Sequence, residues 1–277
     1  MLIACPDQTG LIHQMAGVLF RHNLNITETQ EFVEPHQKRF FTRIQFEGVP
    51  STPSLIQELK HTLPAAAQLQ VRILKPRKVV IFVSSEPHCL GDLLLRHSMG
   101  ELQAEILAVI SQSKDCEKLT GRFDLPFYHV PLKGQQGTLP REQHEELVLK
   151  ILQKYEPDYL ILARYMRIFS PGFVQRYRNR ILNIHHSFLP AFIGKNPYEQ
   201  AYARGVKMIG ATAHFVTENL DEGPIVTQSV LQVSHADDPT EMARRGQDIE
   251  KIVLARATEL VLEDRVLIDG HRTIVFE

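Results

Sequence analysis

Lys75-Pro76-Arg77-Lys78-Val79-Val80-Ile81-Phe82-Val83 decides the fold. Residues 79–83 are apolar at every position, and a strand without polar alternation must be covered on both faces, as in a parallel sheet. The polar, proline-containing front end, 75–78, reads as a linker. Downstream, helical segments at 90–97, 141–155 and 170–177 alternate with strands at 106–110, 127–130, 159–163 and 181–185. That rhythm predicts a Rossmann-like α/β unit, a mostly parallel open sheet with helices on both faces. Residues 209–217 and 225–233 read as an antiparallel pair. A long helix over 239–262 and a strand pair around Asp269-Gly270 follow.

Upstream the rhythm differs. An apolar run at 1–5 ends in Pro6-Asp7, and Leu11, Met15, Val18 and Leu19 then recur at helical spacing. Residues 26–33 and 39–46 alternate with polar positions around the turn Glu34-Pro35-His36. A helix over 53–63, with proline in its first turn, and a strand over 68–74 complete a ferredoxin-like βαββαβ unit. Two domains are expected, 1–75 and 76–277.

Composition narrows the class. Of 277 residues, 43% are hydrophobic and 23% charged, enough apolar material for a packed core. The formal charge is −1, from 31 basic and 32 acidic residues, which argues against a nucleic-acid partner and leaves a small anionic substrate open. Cys5, Cys89 and Cys116 show no paired spacing and suit a reducing compartment. No leader-like segment opens the chain, and no apolar run approaches the ~18–20 residues of a membrane span. A soluble, cytoplasmic protein with no membrane partner is expected.

The chemistry gathers at Asn183-Ile184-His185-His186-Ser187, at the carboxyl end of a parallel strand, where open sheets place their sites. In extended chain Asn183 and His185 project to one side, about 6–7 Å apart. An amide donor beside an imidazole suits acyl chemistry: the amide can hold an oxyanion and the imidazole can move protons. The same residues are also compatible with a strand-end cap and a packed histidine. His186 is expected to point away, while His88 and His214 are candidates to line the pocket. Asp221, in Leu220-Asp221-Glu222-Gly223-Pro224, reads by turn chemistry alone as a turn residue. No HExxH or cysteine pair is present, so neither metal nor cofactor is expected.

Longer stretches carry a resemblance. Asn183-Ile184-His185, Ser187, Leu189-Pro190, Gly210 to Val216 and Leu220 to Ile225 resemble the formyltransferase catalytic domain. That resemblance implies a site formed by Asn183, His185 and Asp221. It also implies a folate-contacting segment at Arg164, Tyr165, Met166, Arg167, Ile168 and Phe169. Cys5 to Ile12 resembles the start of an ACT domain, and Phe192 to Tyr198 and Arg245 to Glu250 are similar to the formyltetrahydrofolate deformylases. Lys195 stands next to the active segment, within reach of a folate tail or simply solvated.

The resemblance implies hydrolysis of 10-formyltetrahydrofolate to tetrahydrofolate and formate, within one-carbon and purine metabolism. It also implies an amino-acid effector, glycine or methionine, at Asp7, Gly10, Leu11 and Asn25, and pairing of the front domains into a homo-oligomer. Three readings compete. A glycinamide ribonucleotide formyltransferase would need a glycine-rich phosphate loop, where this chain has Ser84-Ser85-Glu86-Pro87-His88-Cys89-Leu90. A methionyl-tRNA formyltransferase would bring a further RNA-binding domain. A non-catalytic folate or amino-acid sensor has no need of Asn183, His185 and Asp221 together.

Overall fold

The computed structural model describes residues 1–134, 137–191 and 197–277. The chain divides into two compact units. One comprises Met1–Lys75 with Asp264–Leu267 and Ile274–Glu277, the other Pro76–Glu263 with Ile268–Thr273.

The first unit runs β1 (Leu2–Pro6), α1 (Leu11–Arg21), β2 (Asn25–Glu34), β3 (Arg39–Glu47), α2 (Thr52–Thr62) and β4 (Gln68–Gln70). Its sheet has the order β2-β3-β1-β4, antiparallel at every junction, which is the ferredoxin-like arrangement. The helices bury Leu11, Met15, Val18, Leu19, Leu55 and Leu59 against Ile3, Cys5, Phe40 and Ile44. Strand alternation sends Leu2, Ala4 and Phe41 to the opposite face, where Phe276 joins them. Arg72 Nη1 donates to Asp264 Oδ1 at 2.9 Å and ties the returning chain down. The strand expected over 68–74 stops at Gln70. Ile73 and Leu74 are 72% and 60% exposed, so their apolarity marks no buried strand.

The second unit continues with β5 (Arg77–Val83), α3 (His88–Ser98), β6 (Ala104–Ser111), α4 (Glu117–Gly121) and β7 (Phe127–His129). The two-residue strands β8 (Lys133–Gly134) and β9 (Gly137–Thr138) follow. Next come α5 (Arg141–Tyr155), β10 (Tyr159–Ala163), α6 (Pro171–Arg176), β11 (Ile181–His185), α7 (Pro197–Arg204), β12 (Met208–Phe215), β13 (Ile225–Gln232) and α8 (Pro239–Leu262). A hairpin of β14 (Val266–Asp269) and β15 (Arg272–Val275) closes the element order.

Seven strands form one sheet, β13-β12-β11-β10-β5-β6-β7. Pairs from β11 through β7 are parallel, and β11–β12 and β12–β13 are antiparallel. The linker expected at 75–78 is shorter than its composition suggests. Arg77 and Lys78 already belong to β5, paired with Ala104 and Glu105, and Lys78 N donates to Asp158 Oδ2 at 2.9 Å. Backbone pairing there outweighs side-chain polarity. Val80, Phe82, Ile110, Leu160 and Leu162 form the sheet's contribution to the core, covered by Phe169, Phe173 and Tyr177. Cys5, Cys89 and Cys116 are free and buried.

Phe82 is fully buried and meets Tyr165 and Phe169 edge-on, with centroids 5.2 and 5.7 Å away. Phe82→Ala is expected to cost about 3–5 kcal/mol, the usual range for emptying such a site, read as a lower denaturant midpoint in urea unfolding.

Candidate active site

β11 is the last parallel strand before the sheet reverses direction. Asn183 and His185, two residues apart, therefore share a face at its carboxyl end. The reversal sets His214 of β12 directly opposite Asn183, and Thr212 opposite His185. The chain then leaves β12 and doubles back through 216–224. Two local features let it do so. Asp221 adopts a left-handed φ of +57°, and residue 223 is glycine, where a Cβ would collide with the Phe215 carbonyl oxygen. Pro224 O accepts from Phe215 N at 2.9 Å and pins the return.

The result is a three-point constellation. His185 Nδ1 lies 3.4 Å from Asp221 Oδ1, and His214 Nε2 lies 3.8 Å from the same oxygen. Asn183 Nδ2 lies 3.2 Å from His214 Nε2. The tautomer of His214 follows from its other nitrogen. Nδ1 is 3.0 Å from Phe215 O, which can only accept, so Nδ1 carries the proton. Nε2 then accepts from the Asn183 amide and fixes which way that amide faces. Burial pushes the His214 imidazole below its usual pKa and keeps it neutral in this role.

His185 Nε2 is buried and has no hydrogen-bond partner among the described residues. Burial pushes the Asp221 carboxyl up. The hydrogen bond from His185 outweighs it and holds the group below the ordinary carboxylate range. A cavity of about 290 Å³ opens onto Asn183, His185 and Asp221, with Arg164 to Phe169, Val216 and Leu220 also in its wall.

All six residues of 164–169 line that cavity, yet their side chains are used unequally. Arg164, at a left-handed φ of +62°, turns inward and is 9% exposed. Its Nη2 donates to Glu86 Oε1 at 2.8 Å and its Nε lies 3.4 Å from Glu250 Oε2. Tyr165 and Phe169 stack 5.5 Å apart in the core, and burial pushes the Tyr165 phenol up. Met166 and Ile168, 57% and 58% exposed, are the side chains this segment offers outward.

Of the two histidines expected to line the pocket, His214 does so, whereas His88 is not in the cavity wall and is turned to Glu250. Its Nε2 donates to Glu250 Oε2 at 2.7 Å, while Tyr198 Oη donates to Glu250 Oε1 at 2.8 Å. Burial alone pushes the Glu250 carboxyl up, but the His88 hydrogen bond and the Arg164 charge hold it below the ordinary range. His186, expected to point away, lines the cavity too, because strand alternation ends at His185. Burial, with the Arg164 charge second, pushes its imidazole down to about 3.

Glu250 was not singled out by composition or turn chemistry. Its signal is a charge on the apolar face of α8, among the buried Gly246, Ile249, Val253 and Ala257. His88, Cys89 and Glu250 are the metal-type cluster among the described residues, with ligand atoms within 4.8 Å of one another. The Arg164 guanidinium already stands beside this carboxylate, so the cluster is built around a resident cation. Lys195 lies outside the described residues.

The effector candidates do not meet within one chain. Asp7 and Gly10 lie in the β1–α1 turn, and Leu11 is buried in the core. Pro6 pairs with Arg39, whereas Asn25 pairs with Glu47 at the other end of β3, roughly 27 Å along at 3.4 Å per residue.

Residues 77–258 match the family model described as Formyl transferase. A formyltetrahydrofolate deformylase of Haemophilus influenzae is 44% identical over 275 residues, covering 99% of this chain and 98% of its own. The chain belongs to the formyltetrahydrofolate deformylase family. A deformylase crystal structure from Pseudomonas syringae pv. tomato superimposes with a TM-score of 0.91 at 38% identity, covering 100% of this chain and 93% of that one. Glycinamide ribonucleotide transformylase 1 of Symbiobacterium toebii reaches a TM-score of 0.68 at 30% identity over 73% of this chain and 95% of its own. Deformylase likeness thus spans both units, and transformylase likeness covers a smaller part.

The charge balance at Asp221 has a measurable sign. Its folded pKa is depressed, so its contribution to stability is present at neutral pH and is lost as pH falls through the folded value. By ¹³C NMR the Asp221 carboxyl should titrate below the ordinary carboxylate range. In His185→Phe it should titrate higher, because burial loses its main opponent.

Proposed function

We infer that the chain hydrolyses 10-formyltetrahydrofolate to tetrahydrofolate and formate. The observation that carries this reading is the convergence of Asn183, His185 and Asp221 on one cavity, in a chain akin to deformylases along nearly its whole length.

The chemistry follows from the geometry. One Asn183 N–H is spent on His214 Nε2, and the other serves the formyl oxygen. Asp221 steadies the His185 Nδ1–H, leaving Nε2 to take a proton from water as its oxygen attacks the formyl carbon. The formyl oxygen becomes an oxyanion held by Asn183. Collapse breaks the C–N10 bond, His185 returns the proton to N10, and formic acid ionises to formate. These groups provide oxyanion donor, base and acid, so the reaction is proposed to proceed without a resident cofactor or metal. The exposed Met166, Ile168 and Leu220 give the folate ring system apolar contacts.

A transferase acting on a phosphorylated amine is disfavoured by the turn after β5. There Glu86, paired with Arg164, puts a carboxylate where a phosphate would sit, and Pro87 removes a backbone donor.

The finer readings are proposals of the same kind. No helix among the described residues is long and apolar enough to cross a membrane, and a cytoplasmic site of action fits the folate substrate and the free buried thiols. The βαββαβ unit is proposed to work as an ACT-type sensor for glycine or methionine, bound at Asp7 and Gly10. Asn25 would enter that site only from a second chain, in a homo-oligomer. Titration calorimetry with each amino acid, beside sedimentation, tests this; no heat and a monomer would remove it.

Formate release from 10-formyltetrahydrofolate, with and without glycinamide ribonucleotide, tests the activity. Release is expected without the amine, and turnover only in its presence would overturn the reading. Asn183→Ala should slow release by about 10²–10³-fold, the usual loss for one oxyanion donor. Asp221→Ala should nearly abolish it.

A further inference from the structure

A second cavity, of about 400 Å³, shares part of its wall with the first. Arg164 and His186 line both, and Glu86, Tyr198, Gln247 and Glu250 line the second. The Tyr198 ring packs with its centroid 5.9 Å from that of His186, which is itself 5.2 Å from that of His185. Its hydroxyl donates to Glu250, the carboxylate already engaged by His88 and Arg164. Burial and the Glu250 charge push the Tyr198 phenol up, so it remains a donor.

This contact is built into α8. Residue 246 is a glycine inside a 24-residue helix, where glycine costs about 1 kcal/mol against alanine. A Cβ there would overlap the end of the Tyr198 ring and its hydroxyl. The helix thus gives up local stability, and the phenol reaches Glu250. Among the described residues the same cavity carries the carboxylates of Glu86, Glu199 and Glu250 and the guanidinium of Arg164.

We propose that Tyr198 is the specificity-determining residue on the acceptor side. Held by Glu250 over Gly246, it keeps the wall around His186 closed, so that the formyl carbon meets water and no primary amine entering through the second cavity. The inference rests on the hydrolytic reading of the first cavity. With the wall opened, an amine nitrogen attacks the formyl carbon, the C–N10 bond breaks, and the amine's proton passes through His185 to N10. The products are then an N-formyl amine and tetrahydrofolate.

The test uses the full chain, 10-formyltetrahydrofolate, and glycinamide as the amine, with formate and N-formylglycinamide measured together. The native chain should give formate with little N-formylglycinamide. In Tyr198→Ala and in Gly246→Ala, the ratio of N-formylglycinamide to formate should rise about tenfold, the scale at which a pocket wall discriminates. Gly246→Ala displaces the phenol without deleting it, and decides the matter alone if Tyr198→Ala does not fold. An unchanged ratio in the variants that still release tetrahydrofolate overturns the proposal. Absence of formate from the native chain without amine would instead overturn the hydrolytic reading, which separates the two failures.

Discussion

The site depends on how closely one stretch of backbone passes another. Between 216 and 224 the chain leaves β12 and returns over it, and at residue 223 the approach to the Phe215 carbonyl leaves no room for a side chain. That near-contact brings Asp221 beside His185, and with it the tautomer of that imidazole, the open Nε2 and the low carboxyl pKa. A loop pushed outward by one methyl group would leave two good donors on β11 with no anion to organise them. The geometry of the candidate site is thus held by sterics first and by charge second.

A different physics operates behind the site. Glu250 is fully buried, and a buried carboxylate is tolerable only with its charge and lone pairs satisfied. His88, Tyr198 and Arg164 supply that from α3, α7 and the turn after β10. Removing one of these donors would leave a charge stranded in the interior, so the network behaves as a unit. It also explains why Arg164, a residue with every chemical qualification for binding an anionic substrate, faces inward. The left-handed backbone at Arg164 turns the chain so that its guanidinium meets carboxylates already waiting.

Much of this was legible in the sequence. β5 and β10 were marked by uninterrupted apolar runs, α5 and α8 by long helical periodicity, and the N-x-H pair of β11 by its place at a strand end. What escaped had physical causes. Ile73 and Leu74 looked like a strand but have nothing to pack against, while Arg77 and Lys78 looked like linker but pair through backbone that composition does not report. α7, with eight residues, is too short for periodicity to register. His186 was misplaced because alternation holds only while the strand lasts. Glu250 is marked locally only as a charge on an apolar helical face; its contact with Tyr198 joins helices far apart in sequence, and that pairing no local pattern announces.

The division of the chain carries one more consequence. The sheet of the first unit is covered on one face by Phe276, contributed by a segment that follows the whole second unit in sequence. Domains usually complete themselves in the order of synthesis. Here Leu2, Ala4 and Phe41 keep one flank uncovered until residues 274–277 have been made. The second unit, finished earlier, would be the folded body to which that nascent, half-dressed sheet stays tethered.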